Sequence, residues 1–511
     1  MSSGSRIAKN TMFLYFRMFC VMAVSLYTVR ITLIALGVED YGIYQAVGGI
    51  VGMLAFLNNA LSTGSSRFLT FELGKGMTER LHKMFSTLLL AHFAIALLVA
   101  LLAEAGGLWY ISQHFLLLAD KYIAVMIVFQ LSIVTALMSM TQIPYMAVII
   151  AHEQLKIYAY VSLIEVVLKL GIAAIIMVVP AHRLEIYALL VCLVQLSIMG
   201  MYRIYCYRHY EESHYQKKHL DLSILREVGA FSSWSMFAAV AIALMNQGTL
   251  LLLNSFFSPV VVAARVIALQ VSNAAQQFLN NFRTAANPQI VKRLAAGDVE
   301  GSRRLLLRSM YFSYYLMLVL AVPIILLAEP LLSLWLAEVP EYAVPFLQFS
   351  MVQSLFAVFD TSLYTALYAK GRLKENALIS PTFGSFLFPL YYWLFSCGYS
   401  PLVVSYLLIF NYAMLGLVIK PLLAHKIAGY SWQSMGNAYL KCGRVTILVV
   451  AFVYTLDNIF NDGTFISDVV IGALSMGITV IVIWQAGLIK EERLMIKDMT
   501  RRRVGRAKCH L

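Results

Sequence analysis

The feature that most constrains this chain is a succession of apolar blocks, each about 20 residues long, separated by short polar stretches. Wound as a helix, such a block crosses a bilayer hydrocarbon core roughly 30 Å thick. Lipid offers the backbone no hydrogen-bond partners, so each block must satisfy its own N–H and C=O groups, and a helix does this. Composition agrees: 60% of the 511 residues are hydrophobic and 13% are charged, against about 25% charged in a soluble domain. So little polar surface excludes a soluble enzyme, a disordered chain and a secreted disulfide scaffold. The expected fold class is an all-α integral membrane protein.

Fourteen spans are predicted: 11–36, 42–62, 84–104, 122–144, 157–179, 184–206, 228–255, 258–282, 309–330, 345–369, 376–396, 401–422, 444–460 and 466–488. Lys and Arg alternate with them. If the N-terminus is cytoplasmic, inner segments hold 33 of the 39 basic residues and outer loops hold two, Lys121 and Arg183. Cytoplasmic loops retain Lys and Arg, so both termini of this multi-pass protein are expected in the cytoplasm. The net charge of +13 is largely this loop bias and calls for no nucleic acid. The basic tail suits contact with anionic membrane lipids. The first apolar stretch carries Arg17 and Arg30 and is longer than the roughly 7–15-residue core of a cleavable signal.

Catalytic signatures are missing. No phosphate loop, dinucleotide turn, nucleophile elbow or zinc-protease pattern occurs; His152-Glu153 opens the last of these but continues Gln154-Leu155-Lys156. The six cysteines, Cys20, Cys192, Cys206, Cys397, Cys442 and Cys509, show no metal spacing and are expected as free thiols. No catalytic residue, metal or cofactor is expected, and the chain is not expected to be an enzyme.

The two halves echo each other. Phe56-Leu57-Asn58-Asn59 ends span 2 and Phe278-Leu279-Asn280-Asn281 ends span 8; a small-polar run and a Leu-x-x-Gly follow each, at an offset of 221–222 residues. Six helices separate the copies, so the repeats run parallel. The expected organisation is an N-terminal lobe over 1–206 (helices 1–6), a cytoplasmic linker over 207–227 and a C-terminal lobe over 228–427 (helices 7–12). Additional helices 13 and 14 occupy 428–488, and a basic tail occupies 489–511. In transporters built this way, substrate binds near the midplane at the repeat interface and access alternates by rocking of the halves.

Apart from bases at span edges that are counted with the inner segments, four fall inside the spans: Arg17, Arg30, Lys169 and Arg265. Each costs about 2.5–3.5 kcal/mol at a helix centre, so such residues face a bundle interior or a water-filled cavity. The deep acids are Glu165, four residues before Lys169 and able to pair with it, and Asp360. Four bases against two acids suit an anionic substrate such as a phosphate or pyrophosphate. Glu165 and Asp360 are the candidates for coupling to H+ or Na+. On span 8, Arg265, Asn273, Gln276 and Asn280 share an arc of about 80° over about 22 Å, a polar wall suited to sugars. Gly48 and Gly52 share a face of span 2 suited to close helix packing, and Pro381 and Pro389 are expected to kink span 11.

Arg6-Ile7-Ala8-Lys9-Asn10-Thr11, the turn from Leu36 to Tyr44 (LGVEDYGIY), and Asn287-Pro288-Gln289-Ile290 with Gly297-Asp298 resemble the polysaccharide-export branch of the multidrug/oligosaccharidyl-lipid/polysaccharide (MOP) exporter superfamily. The likeness is to O-antigen flippases of the Bacteroidetes type, proteins of lipopolysaccharide biosynthesis. The resemblance implies two MATE-like six-helix lobes about a V-shaped cavity. It also implies movement of an undecaprenyl-pyrophosphate-linked glycan, an O-antigen or capsular repeat unit, with a glycan polymerase or ligase as partner. Related lipid II flippases line their cavity with bases on helices 1 and 8, and the resemblance carries that role to Arg17, Arg30 and Arg265. The rival reading is a MATE-type cation-coupled multidrug antiporter, whose organic cations call for an acidic cavity. A membrane glycan polymerase or ligase is disfavoured by the short outer loops.

Overall fold

The structure is a computed structural model that describes residues 3–54, 65, 68–69, 72–73, 78–113, 121–152, 154–216, 220–221, 223–226, 244–370, 373–460 and 464–494. The first copy of the repeat at 56–59, the start of expected span 7 and the tail from 495 onward lie outside the described residues. Among the described residues all regular structure is helical.

Helix α1 is Ser3–Leu36, α2 Val38–Leu54, α3 Thr78–Gln113, α4 Tyr122–Thr141, α5 Ile143–Ala151, α6 Leu155–Val178 and α7 Arg183–His209. Then come α8 Thr249–Phe256, α9 Pro259–Ala295, α10 Val299–Leu326, α11 Ala328–Trp335, α12 Ala343–Ala369, α13 Leu373–Ser385 and α14 Leu387–Ser396. The last are α15 Val403–Met414, α16 Lys420–Ala428, α17 Trp432–Phe460 and α18 Phe465–Val482. Among the described residues nine helices are long and apolar enough to cross a membrane, and α1 with α2 passes the same test as a pair bent by 116°. Their outward faces are apolar: Ile123 is 72% exposed, Val178 81% and Ile447 70%. A surface of this kind is stable only against lipid.

Contacts divide the chain into two compact units. The first comprises Met1–Ile267, Ser333–Ala343 and Ala377–Val404; the second comprises Ala268–Leu332, Val344–Asn376 and Ser405–Leu511.

In the first unit α1 lies along α6, and α4 along α7. Ile149, Val161, Ile172, Ile198 and Tyr202 are among the buried side chains of its core. The corner between α1 and α2 turns at Gly37, whose φ of +83° is open to glycine at little cost. Both bases expected in outer loops fasten this corner. Lys121 Nζ lies 2.7 Å from Asp40 Oδ1 and 3.1 Å from Glu39 Oε1. Arg183 Nη1 donates to the Ala35 carbonyl at 3.0 Å. Partial burial pulls the Lys121 ammonium down, but the hydrogen bonds and charges of Asp40 and Glu39 outweigh it and shift its pKa up. Next to the corner, a Cβ on Gly42 would stand 2.0 Å from the Pro259 carbonyl oxygen, so only glycine lets the start of α9 come this close.

Gly48 does not serve close packing: a Cβ there would meet nothing within 4 Å, and with Gly52 it lines a cavity of about 220 Å³ beside Ser132, Thr135 and Ser139. The expected kink of span 11 is a break between α13 and α14 at Phe386, between Pro381 and Pro389. Pro389 has no N–H for the Ser385 carbonyl, which removes one rung of the helix.

In the second unit α10 lies against α17 and α18. Span 12 runs further than expected. The helix does not end at 422 but continues to Ala428 through a π-helical turn at Leu415–Ile419. The π turn re-registers the backbone just before Pro421, which then falls in the first turn of α16, where proline is tolerated. Lys420, counted from sequence with the inner segments, is therefore inside a span and 1% exposed.

Candidate functional site

The second unit holds a cluster of charged and polar side chains that the sequence shows only in part. Lys420 Nζ on α16 approaches Asp360 Oδ1 on α12 at 3.3 Å. The contact is a charge–charge approach and not an aligned hydrogen bond, since Asp360 Oδ1 accepts no hydrogen bond among the described residues. The Lys420 ammonium also stands 5.8 Å from the centre of the Tyr364 ring, within cation–π range. One position after Asp360, Thr361 Oγ1 accepts from Arg283 Nη1 at 2.5 Å.

Close helix contact makes the pair possible. A Cβ on Gly416 would lie 2.9 Å from the Phe356 carbonyl oxygen and 3.4 Å from the Asp360 nitrogen, so glycine lets the π turn rest on α12. The Gly416 carbonyl accepts from Tyr439 Oη on α17 at 2.7 Å. One residue after the π turn, Lys420 reaches Asp360. Breaking a buried ion pair by removing one partner costs about 3–5 kcal/mol, because the other charge is left uncompensated.

The residues expected from sequence fall as follows. Arg17 lies on α1, and its side chain is outside the described set. Arg30, also on α1, donates from Nη1 to the Leu334 carbonyl at 3.1 Å; nearby, Trp335 Nε1 donates to the Leu26 carbonyl at 2.8 Å. Lys169 Nζ lies 2.6 Å from Glu165 Oε1, one turn apart on α6, and both side chains are partly exposed. Arg265 is buried on α9, 3% exposed. Further along α9, Gln276 Nε2 donates to Ser354 Oγ at 3.3 Å, and Ser272 Oγ lies 3.0 Å from the same oxygen. Asn273 and Asn280 are exposed. Gln276 and Asp360 thus each meet a partner within the second unit, whereas Lys169 and Glu165 meet each other in the first.

Lys420 and Arg283 escaped sequence reasoning. Both are counted with inner segments, Lys420 because it lies at the inner edge of expected span 12 and Arg283 because it follows the last residue of expected span 8. The apolar run Leu422-Leu423-Ala424 beyond Pro421 was the signal that span 12 continues. Among the described residues no three His, Cys, Asp or Glu side chains are grouped to hold a metal ion.

The fold is similar to that of several solved transporters of the MOP superfamily. An inward-facing multidrug resistance MATE family transporter of that superfamily matches with a TM-score of 0.60 at 12% identity, over 82% of this chain and 95% of that chain. A MOP superfamily transporter from Pyrococcus furiosus, described by the reverse polarity of its binding pocket, matches with a TM-score of 0.59 at 13% identity, over 83% and 97%. The lipid II flippase MurJ in an inward closed conformation matches with a TM-score of 0.59 at 10% identity, over 94% of this chain and 99% of that chain. At the level of sequence, residues 235–393 match the MatE family model. No curated protein matches the sequence.

Proposed function

We propose that this chain is a transporter that moves an anionic, lipid-linked glycan across the bacterial cytoplasmic membrane by alternating access of two lobes, over 1–206 and 228–427, with both termini in the cytoplasm. The observation that carries the reading is the pairing of deep charges. Glu165 and Asp360 each stand against a lysine, so neither carboxylate is set aside to hold an organic cation, while Arg30, Arg265 and Arg283 add positive charge. Charges at this depth face a bundle interior or a water-filled cavity. A cationic lining of that kind attracts a pyrophosphate, and the exposed amides of α9 suit sugar hydroxyls. The MurJ fold covers 94% of this chain, against 82% for the MATE transporter, which supports a flippase-like extent of chain. The reversed pocket polarity of the Pyrococcus furiosus transporter, which suggests a different function, is a precedent for a change of pocket charge within the fold.

In this reading Arg17, Arg30 and Arg265 hold the pyrophosphate of an undecaprenyl-linked O-antigen or capsular unit. Lys169, Asn273, Gln276 and Asn280 complete the lining, and the polyprenyl tail stays in lipid. Asp360 couples the cycle: a proton or Na+ on its carboxylate weakens the hold on Lys420, and the π turn at 415–419 lets that stretch of helix shift register. Replacing Arg265 with Ala is expected to abolish surface glycan export at unchanged protein level, and export at the native rate rejects the assignment. The MatE match at 235–393 favours one rival, a cation-coupled multidrug antiporter. Resistance to cationic dyes on overexpression, with intact surface glycans in a deletion strain, selects it instead.

A further inference from the structure

The second unit contains a cavity of about 470 Å³ apart from the Asp360–Lys420 cluster, at the end of its helices that the charge bias assigns to the cytoplasm. The start of α10 forms one wall with Arg303, Arg304 and Arg308; the start of α17 forms another with Ser434, Asn437 and Lys441. Residues 489–492 close it.

The cavity has two carboxylates, and one of them is already engaged. Glu492, which is buried, accepts from Tyr311 Oη and from the Ile489 backbone N–H, and lies 3.4 Å from Arg308 Nε. Glu300 is exposed. Arg303 spends one nitrogen on the Ala428 carbonyl, and its Nε is buried without a hydrogen-bond partner among the described residues. Arg304 has no acidic partner among the described residues. Lys441 has none either, and its Nζ sits 5.1 Å over the Tyr311 ring. At the start of α17 Ser431 Oγ accepts from the Ser434 N–H at 3.1 Å, and the positive end of the helix dipole favours a negative charge nearby. Burial raises the pKa of the Tyr430 hydroxyl against the lowering pull of Arg303, keeping it an uncharged donor.

The same helix supplies a place for an apolar tail. Leu440 is 73% exposed, and Ile447 and Tyr454, at seven-residue steps along α17, are also exposed. Residues seven apart lie two turns apart on one face. That face points away from the protein and begins beside Lys441. A cationic cup with hydroxyl and amide donors matches a phosphate group, and the exposed apolar strip on the same helix offers a surface for acyl chains.

We propose that this cavity is a second anion site, distinct from the transport path, that binds a phosphate group, with the head group of an anionic phospholipid as its resident ligand. Arg304 and Lys441 provide the uncommitted positive charge, and Ser434 and Asn437 donate to the phosphate oxygens.

The test uses the full chain purified in neutral detergent and native mass spectrometry with phosphatidylglycerol, phosphatidylcholine and inorganic phosphate as separate probes. Arg304→Gln with Lys441→Gln removes two charges without stranding a carboxylate. At about 1 kcal/mol per basic residue near a membrane surface, the double variant should lose about thirtyfold in phosphatidylglycerol affinity. Lys156→Gln with Arg226→Gln removes the same charge from exposed sites in the first unit and should keep native affinity. Phosphatidylglycerol binding that depends on Arg304 and Lys441 and resists inorganic phosphate supports the lipid ligand. Inorganic phosphate binding with the same dependence, in place of lipid, supports the anion site and overturns its lipid occupant. Equal loss in both double variants, or native binding in Arg304→Gln/Lys441→Gln, overturns the site. Failure of glycan transport would leave these readouts unchanged, so the two proposals fail separately.

Discussion

Lys169 and Glu165 meet at 2.6 Å along a single helix and partly in the open, whereas Lys420 and Asp360 meet at 3.3 Å between two helices and out of solvent. The first pair has good geometry and little at stake. Partners four residues apart on a helix contribute about 0.3–0.5 kcal/mol when exposed, and either member can turn to water or another partner. The second pair has poor geometry and more at stake, since Lys420 is almost wholly buried and Asp360 largely so. A short distance is therefore a poor guide to what an ion pair is worth here: the looser, buried contact is the one whose rupture costs more.

The largest effect that separates the pairs is expected from Lys420→Met. It leaves Asp360 buried without its cation and should lower stability by about 3–5 kcal/mol, read as an earlier midpoint when the protein is unfolded by SDS in mixed micelles. Adding Asp360→Leu to Lys420→Met should restore most of that stability, because an apolar pair of similar volume replaces the ion pair, yet transport should stay lost. Recovery of transport in the double variant would strip the pair of its coupling role. Asp360→Asn leaves the Lys420 ammonium without its counter-charge and should cost about 3 kcal/mol, the low end of the same range because an amide oxygen of the same shape still faces it, while making the transport rate insensitive to an imposed proton or sodium gradient. The smallest effect belongs to Glu165→Gln, at about 0.5 kcal/mol or less, with transport near the native rate. A larger loss from Glu165→Gln than from Asp360→Asn would reverse the comparison.

The same contrast explains what the sequence disclosed. The pair on α6 was legible because one helix carries both partners at a fixed spacing. The pair of α12 and α16 was hidden because it depends on a non-local contact at Gly416 and on a π turn that carries the helix past Pro421. Neither leaves a periodic trace. The all-helical membrane fold was legible for the opposite reason: block length and charge alternation repeat along the whole chain, so many weak signals agree. The polar stripe of α9 was legible as a stripe, but its partners were not. Ser354, which accepts from Gln276, lies 78 residues away in sequence. Lys121 and Arg183 were read as the two exceptions to the loop charge bias; the structure gives them work as fasteners of the α1–α2 corner.

The most direct measurement is the movement of a fluorescent polyprenyl-pyrophosphate oligosaccharide across the membrane of proteoliposomes containing the purified full chain, read by the fraction accessible to a membrane-impermeant quencher. Transfer faster than in empty liposomes, accelerated by an ion gradient in the native chain and not in Asp360→Asn, is the expected result. Transfer no faster than in empty liposomes, together with gradient-driven uptake of an organic cation by the same vesicles, would contradict the anionic-substrate reading.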